Sequence, residues 1–242
     1  MYLTRAYLNP RRKGAIKLIS NPRALHALLA GCHPDQPPVP PGEPAPRTLW
    51  RLDTDDPRKP VLFLVSPTRP DLTQLIEDAG WPAAETPQWA TKPYTPFLNR
   101  LTEGQTYTFR LTANPTHALT PTGPGQRGKR VPHTTPHHQL TWLTQRAPHH
   151  GFTIPPTRHQ THHGPDGKPP LQLHLTKRAT DSFRKTDHAG KPIRVTLTTA
   201  TYEGTLTITN PHALRTLLTT GIGTARAYGC GLLTLAPQPT PA

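Results

Sequence analysis

Asn210-Pro-His-Ala-Leu-Arg-Thr-Leu-Leu218 leads to Gly221-Ile-Gly-Thr-Ala-Arg-Ala-Tyr-Gly-Cys-Gly231, and Leu232-Leu-Thr-Leu235 follows. The order is a helix-like run, a glycine loop and a strand-like run. A dinucleotide-binding fingerprint needs strand, loop, helix. Its third glycine is also missing, because Arg226 stands there. Gly221 suits a helix C-cap, which leaves three further glycines to explain. Glycines let a backbone pass close to a ligand without Cβ clashes. Arg226 and Tyr228 add a cation and a ring to the same loop. Such a loop suits a polyanion with stackable bases, that is, nucleic acid. Gly223, Arg226 and Tyr228 are therefore candidate contacts.

The stretch before this loop contains a second copy of the helix-like run. Asn21-Pro-Arg-Ala-Leu-His-Ala-Leu-Leu29 matches Asn210–Leu218 at six of nine positions. Asn is a preferred N-cap and Pro suits the first helical position. Leu25, Leu28, Leu29 and Cys32 fall at i, i+3, i+4 and i+7, which predicts a buried stripe. Around this helix, residues 1–9 read as a strand and Pro10–Lys17 as a basic arm. Thr48–Asp53 and Val61–Val65 read as strands, Asp71 as the cap of a short helix through Asp78, and Gln88–Tyr94 as a fourth strand. The order β-α-β-β-α-β is ferredoxin-like. Residues 33–46 are proline-rich without periodicity and read as a loop.

The pattern recurs less cleanly downstream. Gln105–Ala113 predicts a strand, Thr116–Pro132 a basic loop and residues 136–147 a helix. Phe152–Ile154 and Leu171–Leu175 read as a pair of strands. Ile193–Thr198 and Tyr202–Ile208 read as a hairpin. The expected fold is α+β, with two tandem ferredoxin-like domains, 1–96 and 97–242, the second holding the glycine loop.

The chain has 28 Lys+Arg against 14 Asp+Glu in 242 residues, a net charge of +14. A polyanionic partner is the natural implication. Residues 1–96 hold 12 basic and 9 acidic side chains, and residues 97–242 hold 16 and 5, so the excess is +3 in the first part and +11 in the second. No acid occurs from Gly104 to Pro165. Within that stretch Arg127, Lys129 and Arg130 form a compact cluster, and Arg158 lies in another basic loop. Phosphate contact and a solvated charged turn are both open readings. Arg11, Arg12, Lys13 and Lys17 give the N-terminal arm the same character.

Cys32 and Cys230 are the only cysteines, which fits a reducing compartment. No stretch approaches a membrane span, and no signal peptide is recognisable. A cytoplasmic protein is expected. The 14 histidines include several in the basic middle, but no Cys or carboxylate accompanies them, so no metal or cofactor is expected. His26 sits at the margin of the leucine stripe after the basic arm. A surface histidine and a proton-transfer group are both compatible with its position, and Arg215 occupies the matching place in the second helix.

Met1-Tyr-Leu-Thr-Arg5, Asn21-Pro-x-x-Leu-His26 and Gly221-Ile-Gly-x-Ala-x-x-Tyr-Gly-Cys-Gly-Leu-Leu-Thr-Leu-Ala-Pro237 together resemble the CasE family. These are the CRISPR repeat endoribonucleases of type I-E Cascade systems. The resemblance implies two ferredoxin-like (RRM-like) domains and metal-independent cleavage of precursor CRISPR RNA beside a repeat hairpin. It also implies retention of the product by the other Cascade subunits. His26 matches the catalytic histidine. The family often has Tyr one turn earlier, where this chain has Arg23, and a Lys seen in some relatives falls at Gly31. Arg23 is thus the candidate for charge stabilisation.

Overall fold

The computed structural model describes residues 1–33, 47–120, 123, 128–157, 169–186 and 192–238. It divides into two compact units. Unit 1 is Met1–Arg100 with Thr219–Gly221 and Ala225–Leu232; unit 2 is Leu101–Leu218, Ile222–Thr224 and Leu233–Ala242.

Unit 1 runs β1 (Tyr2–Tyr7), α1 (Lys13–Ser20), α2 (Pro22–Ala30), β2 (Leu49–Asp53), β3 (Val61–Ser66), α3 (Thr73–Ala79), β4 (Trp89–Pro93) and α4 (Thr95–Asn99). Its sheet has the order β2-β3-β1-β4, and every pairing is antiparallel. This is the ferredoxin-like arrangement. Leu62 and Leu64 share a face of β3 because strand side chains alternate. They meet Ala6 of β1, Leu25 and Leu29 of α2, and Leu75 and Ala79 of α3 in one buried cluster. Each fully buried leucine contributes roughly 1.5–3 kcal/mol.

One element corrects the sequence reading. Pro10–Lys17 was expected as a basic arm, but Lys13–Ser20 is a helix. Ala15 and Leu18 are buried and Ile19 packs against the cluster, a short i, i+3, i+4 stripe beneath the charges. Gly14 permits the fit, since a Cβ there would lie 2.2 Å from the Asp78 carbonyl oxygen.

Unit 2 runs β5 (Thr106–Ala113), β6 (Thr116–Ala118), β7 (Arg130–Pro132), α5 (Pro136–Arg146), β8 (Phe152–Thr153), β9 (Leu173–Thr186), β10 (Pro192–Ile208), α6 (Pro211–Thr220) and β11 (Leu233–Ala236). Its sheet has the order β11-β5-β10-β8, and β9 also pairs with β10. With β8 and β9 sharing the second-strand position, this is the same ferredoxin-like order.

Two readings of this half change. Ile193–Ile208 was expected as a hairpin within itself. It is instead part of one 17-residue strand, and its hairpin partner is β9, paired from Pro192↔Thr186 to Gly204↔Leu173. The residues between the two expected strands, Thr199-Ala-Thr201, contain no turn former. The apolar positions change parity there, from Ile193, Val195 and Leu197 to Tyr202, Leu206 and Ile208, while β10 pairs with β5 without a break; the register shift beside it leaves Thr176 of β9 without a partner position. Thr116–Pro132 was expected as a loop, yet its two ends pair as β6 and β7. Among the described residues no helix is long and apolar enough to cross a membrane.

Candidate catalytic cleft

The cleft belongs to unit 1 and starts from the cap of α2. The Asn21 side chain accepts from the backbone N–H of Arg23 and of Ala24, both at 3.1 Å. Pro22 takes the first turn. Leu25 and Leu29 are driven into the core, which leaves His26 half-buried on the helix edge. There it lines a cavity of about 410 Å³. Leu29, Ala30, Thr48, Trp50 and Ala227 also line it, and the polar lining is completed by His33, Arg47 and Arg226.

The two histidines of the cleft differ in freedom. His33 is buried, with Nδ1 3.1 Å from the Thr68 hydroxyl and Nε2 2.9 Å from the Thr48 hydroxyl. Both ring nitrogens are engaged, so it is a fixed strut. The His26 ring has no hydrogen-bond partner among the described residues. Burial pushes the pKa of His26 below its ordinary value. Its imidazole is therefore neutral at pH 7 and free to take a proton.

The opposite wall is the glycine loop. Gly229 has φ 79°, and a Cβ there would lie 2.6 Å from Trp50 Cζ3. Only glycine lets the loop lie on this indole. Gly223 has φ 77°, with the Trp142 ring 3.0 Å from where its Cβ would be. It belongs with Trp142 to unit 2. Close packing on tryptophan thus explains both residues in the free protein. Arg51 anchors the end of the loop: it is buried, donates to the Leu232 carbonyl at 3.2 Å and pairs with Asp53 at 2.8 Å. Cys230 is buried, and burial pushes its thiol up to about 12, so it is no nucleophile at neutral pH.

Arg226 opens the short 3-10 turn Arg226–Tyr228. Its Nε and the Trp50 Nε1 are both buried without a hydrogen-bond partner among the described residues. Burial, and then the charge of Arg47, press the Arg226 guanidinium toward deprotonation, although an arginine remains charged at neutral pH.

The structure therefore brings His26 and Arg226 together. Arg23 is exposed in the first turn of α2 and is not among the described residues lining the cleft. Arg11, Lys13 and Lys17 are exposed at and along α1, with Arg12 half-buried at its N-cap. Lys129 and Arg130 are exposed at the β6–β7 ribbon of unit 2, and Tyr228 is half-buried in the loop. Arg127 and Arg158 lie outside the described residues. Sequence reading missed His33, Arg47 and Trp50. Arg47 and His33 flank the proline-rich stretch, where no periodicity announces a contact. Trp50 looked like any strand residue, and only the glycine opposite it signals the close approach.

Unit 2 gathers another set of imidazoles. The rings of His117 and His133 are 4.5 Å apart, and His138 follows at 5.8 Å from His133. Burial, then the charges of His117, His138 and Arg146, lower the His133 pKa. Among the described residues, no group of three or more His, Cys, Asp or Glu side chains is arranged to hold a metal ion.

Residues 1–237 match the family model described as CRISPR associated protein. The chain is 32% identical over 239 residues to the CRISPR-associated endoribonuclease Cse3 of Thermus thermophilus, covering 98% of this chain and 100% of that protein. It is similar to a solved structure of CRISPR endoribonuclease Cse3 bound to a 19 nt RNA, with TM-score 0.74 and 29% identity over 98% of this chain and 100% of that one. A structure of Thermus thermophilus Cse3 bound to an RNA representing a pre-cleavage complex aligns with TM-score 0.69 and 28% identity over 98% of each chain. The match extends through both ferredoxin-like sheets, from the β1 strand to the residues after the glycine loop, and the chain belongs to the family of CRISPR-associated proteins.

Proposed function

We propose that this protein is a metal-independent endoribonuclease that binds the hairpin of a CRISPR repeat, cuts precursor CRISPR RNA beside it and keeps the product within a Cascade complex. One observation carries the reading: His26 stands neutral, without a hydrogen-bond partner among the described residues, in a cleft that also holds Arg226 and Arg47. RNA brings its own nucleophile, the ribose 2′-OH. The 2′-oxygen bonds to the adjacent phosphorus and the bond to the 5′-oxygen breaks. The proton lost by the 2′-OH is balanced by one gained at the 5′-oxygen, and His26 serves this transfer. The ends are a 2′,3′-cyclic phosphate and a 5′-OH. No water is consumed and no metal-bound hydroxide is required.

Binding spreads over the basic residues. Lys129 and Arg130 on the β6–β7 ribbon and Arg12, Lys13 and Lys17 around α1 hold phosphates by charge. Arg23, three residues before His26, shares its side of α2 and adds charge beside it. The kinship with proteins named endoribonucleases, one solved with RNA as a pre-cleavage complex, supports the same reading.

The test is incubation of end-labelled repeat RNAs with the protein in excess EDTA. Cleavage should persist and leave a cyclic phosphate that acid opens. Activity lost in EDTA and restored by zinc or magnesium would overturn the metal-independent mechanism. Tight binding without any cleavage would make the protein a non-catalytic RNA-binding module.

A further inference from the structure

We infer that Arg226, with Arg47 beside it, is the catalytic cation that contacts the scissile phosphate. This rests on the cleft being the endoribonuclease site, and it moves the charge-stabilising role from Arg23 to the glycine loop.

Four observations converge. First, Arg226 and His26 line one cleft although 200 positions separate them, whereas Arg23 is exposed and outside its lining. Second, Arg226 keeps a buried Nε–H without a partner, and so does the Trp50 indole of the same cleft. Buried donors in folded proteins are satisfied almost without exception, so two orphans at one cavity call for an acceptor that arrives with a ligand. Third, the charge of Arg47 is close enough to disfavour that of Arg226, yet neither forms an ion pair among the described residues. Fourth, Ala225, immediately before Arg226, has φ 60° and is the one non-glycine residue with positive φ among the described residues. That conformation is strained for a residue with a Cβ, and such outliers persist where surrounding structure enforces them.

An anion that accepts from both guanidinium groups gives the Arg226 Nε–H an acceptor and relieves the pressure of the Arg47 charge. A phosphate does so at rest, and the crowded phosphorane does so more strongly. Its oxygens gain charge as the 2′-oxygen closes on phosphorus. A planar guanidinium fork already in place meets that charge without reorganisation. His26 then handles protons and Arg226 handles charge, from opposite walls.

The experiment is single-turnover cleavage at saturating protein, with affinity measured in parallel on a repeat RNA carrying a 2′-deoxy at the cut site. Arg226→Ala should slow cleavage about 10²–10³-fold, the scale of removing one preorganised donor, with little change in affinity. Arg47→Ala and Arg23→Ala should each lose less. Arg226→Lys should recover part of the rate, and free guanidinium should partly rescue Arg226→Ala but not His26→Ala. Rescue by a diffusible cation separates charge from a structural role, which it would not restore. Arg226→Ala cutting at the wild-type rate overturns the inference. So does a rate loss without guanidinium rescue, or one matched by lost affinity. If wild type cuts, His26→Ala does not and Arg226→Ala does, only the Arg226 assignment fails. If wild type itself does not cut, the endoribonuclease reading beneath it fails.

Discussion

Helices α2 and α6 are built from nearly the same nine residues, one in each unit, and only one of them presents a reactive group. Asn21 and Asn210 cap them. Pro22 and Pro211 open them. Leu25 and Leu29 in one, and Leu214 and Leu218 in the other, are buried. The sixth residue of each frame emerges half-buried at the edge of the stripe. In α6 that residue is Arg215, whose Nη2 donates to the Leu101 carbonyl at 2.8 Å. In α2 it is His26, which meets an open cleft instead. The helix delivers a side chain to a fixed place; the neighbours decide whether that side chain is a brace or a tool.

Removing each sixth residue should separate these roles, and the largest effect is expected at His26. Truncation there removes proton transfer, worth roughly 10²–10⁴-fold in rate. It leaves thermal stability and repeat affinity nearly unchanged, because the ring holds no hydrogen-bond partner among the described residues. Since burial lowers the His26 pKa, the neutral form persists below its ordinary 6.5. The acid limb of the wild-type pH–rate profile should therefore lie below pH 6.5 and vanish in His26→Ala. Wild-type cleavage by His26→Ala would erase the contrast between the helices.

Arg215→Ala is the reverse experiment. It deletes a donor to a carbonyl whose residue, Leu101, is fully buried. Leaving a buried acceptor unpaired costs about 1–3 kcal/mol. Thermal melting should show that loss, while the single-turnover rate on bound RNA stays at the wild-type value. A slowed chemical step with an unchanged melting temperature would mean that Arg215 acts in catalysis and not as a brace.

The comparison also shows what a sequence can reveal. Caps, prolines and leucine stripes act within one or two helical turns, so α2 and α6 were readable within a residue or two of their ends. The strands of unit 1 were equally readable, because Leu62 and Leu64 alternate under a buried sheet. Helix α1 was hidden because Arg12, Lys13 and Lys17 dominate a stripe of only three apolar residues. The β10 strand was cut in two because its apolar residues change parity between Leu197 and Tyr202, which breaks the alternation on which strand reading depends. At the site, His26 was named from its motif, and it lines the cleft. Arg47, His33 and the cleft-facing role of Arg226 were not. Arg226 is brought to His26 by chain folding across 200 residues, and no local rule encodes it.

The caps themselves give the finest test of the pair. Asn21 accepts from two backbone N–H groups, at 3.1 Å each. Among the described residues, Asn210 accepts from one, that of Ala213, at 3.1 Å. Replacing an Asn cap by Ala costs about 0.5–2 kcal/mol, and 1 kcal/mol lowers the melting temperature of a chain of this size by about 2–4 °C. Asn21→Ala orphans two donors and should lie toward the upper end of that range, with Asn210→Ala below it. Asp at either position retains an acceptor and should restore most of the loss. The two caps should differ in function as well. A frayed first turn of α2 loosens the helix that sets His26 in the cleft, so Asn21→Ala should lower the single-turnover rate a few-fold, far less than His26→Ala. Asn210→Ala should melt earlier and cleave bound RNA as wild type does. Melting curves and single-turnover rates on the four cap variants decide it. A larger melting shift for Asn210→Ala, or a rate loss confined to it, would show that the shared frame does not place His26 in the way its cap geometry implies.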